Sequence, residues 1–162
     1  MTPFEQAFVM VVNTEGGYTD NKSDPGGRTK FGISQRSYPA LDIAALTLDD
    51  ARGLYRTGYW DRIRGDEMPP PLAFLTFDAA VNNGVGRSVR WLQTALGVAA
   101  DGVIGPATLA AVHAAVPGWH VMAATVAART AFMVSLPTWR VFGHGWSIRL
   151  ARLPYLAMSV TP

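Results

Sequence analysis

The stretch "NTEGGYTDNKSDPGGRTKFGIS", residues 13–34, carries one glutamate, two aspartates, five glycines and a proline. Carboxylates in a glycine-rich turn bind a metal, perform acid–base chemistry, or form a polar loop. The residues before Glu15 narrow the choice. Phe4, Phe8, Val11 and Val12 stand at helical spacing, and Gly16-Gly17 stop that helix. Phe8, Val11 and Glu15 share one face, so Glu15 stands where the core face should continue. Partial desolvation and the negative end of the helix macrodipole both favour a carboxyl group that keeps its proton, which general acid catalysis requires. The alternative is a glutamate at a helix end, turned to water.

The residues after Glu15 bear on the same choice. Asp24 precedes Pro-Gly-Gly, which fixes a tight turn, and Thr29 precedes a short β-prone piece, "KFGIS". The pattern is a Glu, eight residues, an Asp, four residues and a Thr. Glycosidases use two carboxyl groups flanking the sugar bond, one to protonate the leaving oxygen and one to activate water or attack. An acid on a helix end and another on the adjacent hairpin form the walls of such a cleft, with Thr29 placed to hold a water. Asp24 in a polar turn should stay ionised; its alternative role is that of an Asx-turn residue. Metal binding competes for the same groups. "DNKSDPGG" has the composition of a calcium loop, but it lacks the alternating ligands and terminal Glu of an EF-hand. His113, His120 and His144 have no zinc-type spacing, and cysteine is absent. That absence excludes thiol hydrolases and disulfides. No GxSxG stretch suggests an α/β-hydrolase serine.

The chain has 162 residues, 49% hydrophobic and 16% charged, and reads as one globular domain. Its charge is uneven. All twelve acids lie at or before Asp101, and the remainder carries Arg129, Arg140, Arg149 and Arg152 with no Asp or Glu. A basic half suits an anionic partner or, more simply, a soluble basic surface. No nucleic-acid signature accompanies it, so no nucleic-acid partner is expected. The apolar piece at 8–12 is too short for a signal peptide and lacks a basic flank. The apolar stretch at 119–136 carries Arg129 near its middle, and reads as a core helix with no stable membrane insertion.

The elements read as mostly helical. Thr47 with Asp50 three residues on forms a variant capping box. Ala51, Leu54, Tyr55, Gly58 and Tyr59 then keep one helical face. Prolines at 69–71 open a helix through "LAFLTFDAAV" that stops at "NNG". "SVRWLQTAL" forms another, closed by Gly97, and Pro106 starts "ATLAAVHAAV". Two further helices are expected around 119–136 and 146–152, with Gly143, Gly145 and Trp146 forming a tight helix junction.

These residues carry a resemblance. "EGGY" at 15–18 followed by "DPGGRTKFGIS" resembles the EGGY-motif N-acetylmuramidases of glycoside hydrolase family 108, many of which are phage endolysins. "YRTGYWDRI" at 55–63, "FDAAVNNG" at 77–84, "WLQTALGV" at 91–98, "DGVIGPATL" at 101–109 and "FGHGWSIR" at 142–149 continue it in order. The "LQ…LGV…DG.IGP.T" part is less specific, since similar wording occurs in peptidoglycan-binding helical repeats. The resemblance implies a mainly α, lysozyme-like fold with a small β-hairpin after the first helix. It implies one domain over 1–162, with a catalytic part at 1–90 and a helical part at 91–162 resembling a peptidoglycan-binding region. It implies hydrolysis of the β-1,4 bond from N-acetylmuramic acid to N-acetylglucosamine, with Glu15 as the catalytic acid. The Glu–Asp–Thr arrangement also resembles phage-type lysozymes, where the spacing to Thr is one residue longer. "TDNKS" at 19–23 departs from the family wording and leaves Asp20 as a candidate cleft-wall residue.

Weaker candidates surround these. Tyr18, Tyr59 and Trp60 are candidates to stack on sugar rings, and Trp60 equally suits a core position. Asn82 and Asn83 are candidates to bond an N-acetyl group, or to cap a helix before Gly84. Asp78 is expected to pack or hydrogen-bond near the core. The expected protein is a monomeric peptidoglycan hydrolase that needs no metal or cofactor. It would be made in a host cytoplasm and released to the wall. The runner-up activities are a lytic transglycosylase on the same polymer and a non-catalytic wall-binding or secretion-assisting protein.

Overall fold

A computed structural model describes residues 1–15, 27–116 and 118–162; the side chains of Thr14 and Glu15 fall outside the described part. Helix α1 spans Pro3–Glu15. Its start is a capping box: the Thr2 N–H donates to the Glu5 carboxylate at 2.8 Å, and the Glu5 N–H donates to Thr2 Oγ1 at 3.3 Å. Strands β1 (Thr29–Lys30) and β2 (Ile33–Ser34) pair antiparallel, Thr29 with Ser34 and Lys30 with Ile33. The two residues between them, Phe31 and Gly32, have φ of 52° and 75°. Positive φ at both central positions belongs to the type I′ turn that closes two-residue hairpins. This is the small hairpin expected after the first helix.

Helix α2 (Leu48–Tyr55) begins at the predicted box, with Thr47 Oγ1 accepting from the Asp50 N–H and Asp50 accepting from the Thr47 N–H. It passes directly into a π-helical turn, Arg56–Trp60, closed by the Asp61 N–H on the Arg56 carbonyl. A 3₁₀ turn at Gly65–Glu67 leads into α3 (Pro70–Asn83), which opens on proline as predicted. Gly84, at φ 87°, ends α3 and precedes α4 (Val85–Leu96), which Gly97 closes in the left-handed region. Then come α5 (Pro106–Ala114), α6 (Trp119–Val134) and α7 (Trp139–Ser159).

Helix α3 is central. Every residue from Leu72 to Ala80 is buried, so over that length it has no solvent face. It packs against α1, α4, α6 and α7. Beside it, Phe4, Phe8, Tyr55, Trp60 and Phe77 form an aromatic cluster, with centroid distances of 5.5 Å (Phe4–Trp60), 5.4 Å (Trp60–Phe77) and 5.5 Å (Phe8–Tyr55). Such pairs add about 0.5–1.5 kcal/mol each beyond area burial. Gly65 completes the cluster, because a Cβ there would stand 2.4 Å from the Trp60 ring.

Two expectations change. The final helix is far longer than 146–152. Gly143 and Gly145 lie inside it, and so does Pro154. Leu150, Leu153 and Ala157 bury one face, and that packing overrides the local cost of proline and glycine. Gly143 is not a junction; it makes room for Trp139, whose ring would lie 2.7 Å from a Cβ there. Residues 90 and 91 both lie within α4, and α3 and α4 meet at Gly84. No described helix alone is long and apolar enough to cross a membrane.

Candidate functional site

Glu15 is the last residue of α1, and Phe8 and Val11 on its face are buried. The Glu15 side chain, with Tyr18, Asp20 and Asp24, lies outside the described residues. Thr29 opens β1 half-buried, and its hydroxyl donates to the Gly27 carbonyl at 3.3 Å.

Tyr55 fixes the hairpin relative to α1. Its ring packs on Phe8 of α1 and on Phe77 of α3, and its hydroxyl donates to the Phe31 carbonyl at 2.9 Å. One side chain thus ties α1, α2, α3 and the hairpin turn. Phe31 holds an unfavourable positive φ, and this bond is one of its anchors, along with the Lys30 ammonium 5.5 Å from its ring. Lys30 also donates to the Ala44 carbonyl, and the Gln35 amide donates to three carbonyls, Tyr38, Pro39 and Leu41. Side chains hold the loop after the hairpin in place of a strand ladder.

The aromatic candidates separate. Trp60 is 0% exposed, and its indole N–H donates to Asp66 Oδ1 at 2.9 Å. With both ring faces against protein it has none to offer a sugar, which corrects its candidacy. Arg56 joins the same network through Asp61 at 2.7 Å and a bond to Asp66. The wording "YRTGYWDRI" therefore describes a structural knot. Tyr59 is half-buried, 5.7 Å from Tyr55, and retains surface to meet a ligand. Asn82 is exposed, but its amide nitrogen donates to the Asp78 carbonyl at 2.8 Å, so its oxygen is the atom better placed for a ligand.

Asp78, on α3, is the residue that sequence reasoning underrated. Its carboxylate receives Arg129 Nη1 from α6 at 2.5 Å and Arg149 Nη2 from α7 at 2.6 Å. Arg129 is 2% exposed, and its Nε and Nη2 are buried without a partner among the described residues. Two of the four arginines of the basic half are thus turned inward onto an acid of the other half. The surface cations of α7 are Arg140 and Arg152, with Arg149 at the margin.

The second network explains "LQ…DG.IGP.T". Buried Gln93 of α4 donates through Nε2 to Asp101 Oδ1, the Val103 carbonyl and Thr108 Oγ1, and its Oε1 accepts from the Gly102 N–H at 2.8 Å. Gly102, at φ 86°, approaches the Gly86 carbonyl so closely that a Cβ would lie 3.1 Å from it. The motif is a loop clamp. His113, His120 and His144 are exposed and lie on three different helices. Among the described residues no three His, Asp or Glu side chains converge on a metal site.

Comparison with known proteins agrees with this layout. Residues 8–84 match the family described as glycosyl hydrolase 108, and residues 87–151 match the family described as a predicted peptidoglycan domain. The first match ends at Gly84, the junction of α3 and α4, and the second begins two residues into α4 at Arg87. No curated protein matches the chain. The solved structure of SagA from Brucella abortus is 35% identical, covers 97% of this chain and 94% of its own, and superposes with a TM-score of 0.88. That likeness bears out the mainly α, lysozyme-like class. The chain belongs to the glycosyl hydrolase 108 family, and is a glycoside hydrolase acting on peptidoglycan.

Proposed function

We propose that the enzyme hydrolyses the β-1,4 bond between N-acetylmuramic acid and N-acetylglucosamine, with Glu15 as general acid. The observation that carries this is the position of Glu15. It is the last residue of α1, one turn beyond buried Val11, in a chain whose first half matches a glycoside hydrolase family. The negative end of the α1 macrodipole favours the protonated form. Glu15 gives its proton to the glycosidic oxygen as the bond to the anomeric carbon breaks. A water attacks that carbon and passes its proton to Asp24, while the Thr29 hydroxyl orients the water. Tyr18, Asp20, Tyr59 and the Asn82 oxygen are candidates for holding the sugars. The hairpin that carries Thr29 is pinned by Tyr55 to the helix that ends in Glu15.

We further propose a phage or prophage endolysin that works as a monomer without metal or cofactor. It waits in the host cytoplasm and acts on the wall after release.

The test is product analysis on purified walls. Wild-type protein should release reducing muramic acid ends; anhydromuramic ends would instead identify a lytic transglycosylase. Glu15→Gln should abolish lysis with folding and wall binding retained, because the isosteric amide delivers no proton. Loss of general acid catalysis is worth about 10²–10⁴-fold. Asp24→Asn should lose most of the rate at unchanged melting temperature, and Thr29→Ala less. Lysis at wild-type rate by Glu15→Gln would sink the assignment.

A further inference from the structure

Helix α7 carries apolar side chains on both of its faces. One face is packed, with Gly143, Leu150, Leu153 and Ala157 buried. On the opposite side Val141, Ile148 and Tyr155 stand seven residues apart and are 74%, 43% and 78% exposed. Seven residues fall about 20° short of two full helical turns, so the three lie close to one line along the helix. Phe142 and Met158, both exposed, flank that line on either side. Arg152, four residues after Ile148 and three before Tyr155, rises from the middle of it, and Arg140 stands beside its start. Both arginines are exposed, and neither has a carboxylate partner among the described residues. Arg149 is committed to Asp78 and takes no part. Residues 102–162 contain no Asp or Glu, so no acidic side chain of α5, α6 or α7 offsets the two free cations.

We propose that the outer face of α7 docks on an anionic lipid bilayer, with the helix lying in the plane of the headgroups. An exposed apolar line flanked by basic residues is the pattern of an interfacial helix. No described helix alone is long and apolar enough to cross a membrane, so α7 lies on the bilayer and does not span it. Aliphatic Val141, Ile148 and Met158 suit the boundary of the acyl chains, and Tyr155 suits the headgroup level. Arg152 lays its methylene stem along the apolar line and keeps its charge among the phosphates. Charge complementarity selects this partner over a second copy of the chain, which would set Arg140 and Arg152 against another α7 without an acid. A stripe about 25 Å long and about 10 Å wide also falls short of the roughly 800 Å² per partner of a stable protein interface. A glycan strand is met by aromatic rings and hydrogen-bonding groups, whereas most of this line is aliphatic. Two arginines are fewer than the four to eight of a polybasic lipid-binding segment, so the apolar line supplies the rest and the docking is weak and reversible. It would hold the protein at the membrane side of the wall. The proposal does not depend on which bond the enzyme cleaves.

The test is co-sedimentation of the full chain with vesicles of phosphatidylglycerol and phosphatidylcholine in equal parts, and with vesicles of phosphatidylcholine alone. Wild type should bind the first, release them as salt rises, and bind the second far less. Arg152→Glu should weaken binding to the anionic vesicles roughly thirtyfold, since each basic residue near such a surface is worth about a factor of five and the reversal counts twice. Arg62→Glu, an equal reversal at an exposed residue of the 61–64 turn, should not. Val141→Ser with Tyr155→Ser changes no charge at two well-exposed positions, and should weaken binding roughly tenfold through lost apolar contact. All these variants should melt as the wild type does and lyse lipid-free walls at its rate. No binding of the wild type to anionic vesicles, an equal loss in Arg62→Glu, or full binding by the double serine variant would overturn the proposal. So would a concentration-dependent dimer abolished by the double serine variant, which assigns the face to a second copy. Weaker pelleting of Arg152→Glu on lipid-free walls, with vesicle binding unchanged, would overturn it in favour of the wall polymer. A wild type that releases no reducing muramic acid ends would strike the bond assignment and leave the vesicle result standing.

Discussion

Two buried polar networks hold this fold, and they are built on opposite plans. Gln93 gathers partners no more than 15 residues away and satisfies both ends of its amide. Asp78 gathers Arg129 and Arg149 from 51 and 71 residues away, and two nitrogens of Arg129 find no partner among the described residues. The first network shapes one loop. The second ties α3, which lies in the glycoside hydrolase match, to α6 and α7 beyond it. A neutral amide is cheap to bury once its bonds are made. A buried ion cluster recovers its desolvation cost only while every partner stays, so its removal is felt far more strongly than its presence.

The largest effect is expected at Asp78. Asp78→Asn leaves two guanidinium groups facing a neutral amide, one of them almost fully enclosed. The expected loss is about 3–5 kcal/mol of folding stability, seen as a lower denaturant midpoint with the slope unchanged. Replacing the cluster by apolar residues, Asp78→Leu with Arg129→Met, should return part of that loss. A fall below about 1 kcal/mol for Asp78→Asn would mean the cluster is well solvated, against the burial seen for Asp78 and Arg129.

A smaller effect is expected in the neutral network. Gln93→Leu keeps the volume and removes the clamp, leaving the Thr108 hydroxyl and the Gly102 N–H without that partner. The expected cost is about 1–3 kcal/mol. It should be local. Hydrogen exchange should speed up across 101–108, while protection in α3 and α7 stays as in the wild type. Equal acceleration everywhere would show that the two networks form one cooperative unit, and the contrast between them would disappear.

Legibility in the sequence divides in the same way between near and far. The Thr47–Asp50 box, the proline opening of α3 and the glycine stop at Gly97 all act within a turn, and each is readable. Thr2 with Glu5 is equally local, and the pattern T-x-x-E before an apolar run is the signal that could have found it. Glu15 at the end of a buried helical face is visible for the same reason. Asp78 is rightly placed near the core by sequence, but its arginines are not. Arg129 and Arg149 read as surface charge because their partner lies dozens of residues upstream. Trp60 reads equally as a sugar platform or a core residue, because nothing in "GYWDR" reveals the π-helical turn that carries it inward onto Phe4 and Phe77. Tyr55 reads only as one more position on a helical face, since its bond to Phe31 spans 24 residues. The length of α7 is hidden because Gly143, Gly145 and Pro154 are breakers by propensity, and only the packing of Leu150, Leu153 and Ala157 retains them.

The smallest expected effect separates the networks through pH. The Asp101 carboxyl is held below its ordinary value, first by the bond from the Val103 N–H and then by the Gln93 amide. A depressed carboxyl contributes stability that is fully present above its unfolded value, near 3.8, and is lost as pH falls through the lower folded value. The loop clamp should therefore be insensitive to pH between neutrality and about 4, and should weaken below that. Asp101→Asn keeps an acceptor for Val103 and removes the charge, so it should unfold at slightly lower urea than the wild type at pH 7. That gap should close as pH falls below the ordinary value and through the lowered folded one, where the wild-type carboxyl is itself being protonated. Glu5, Asp50 and Glu67 are lowered too, by Thr2, Thr47 and Arg64, so the wild type will also lose stability elsewhere in acid. Taking the difference between wild type and Asp101→Asn at each pH removes those shared losses. A gap that stays constant from about pH 7 down to about pH 2.5 would show that Asp101 acts through the shape of its side chain and not its charge, leaving Gln93 alone as the centre of the clamp.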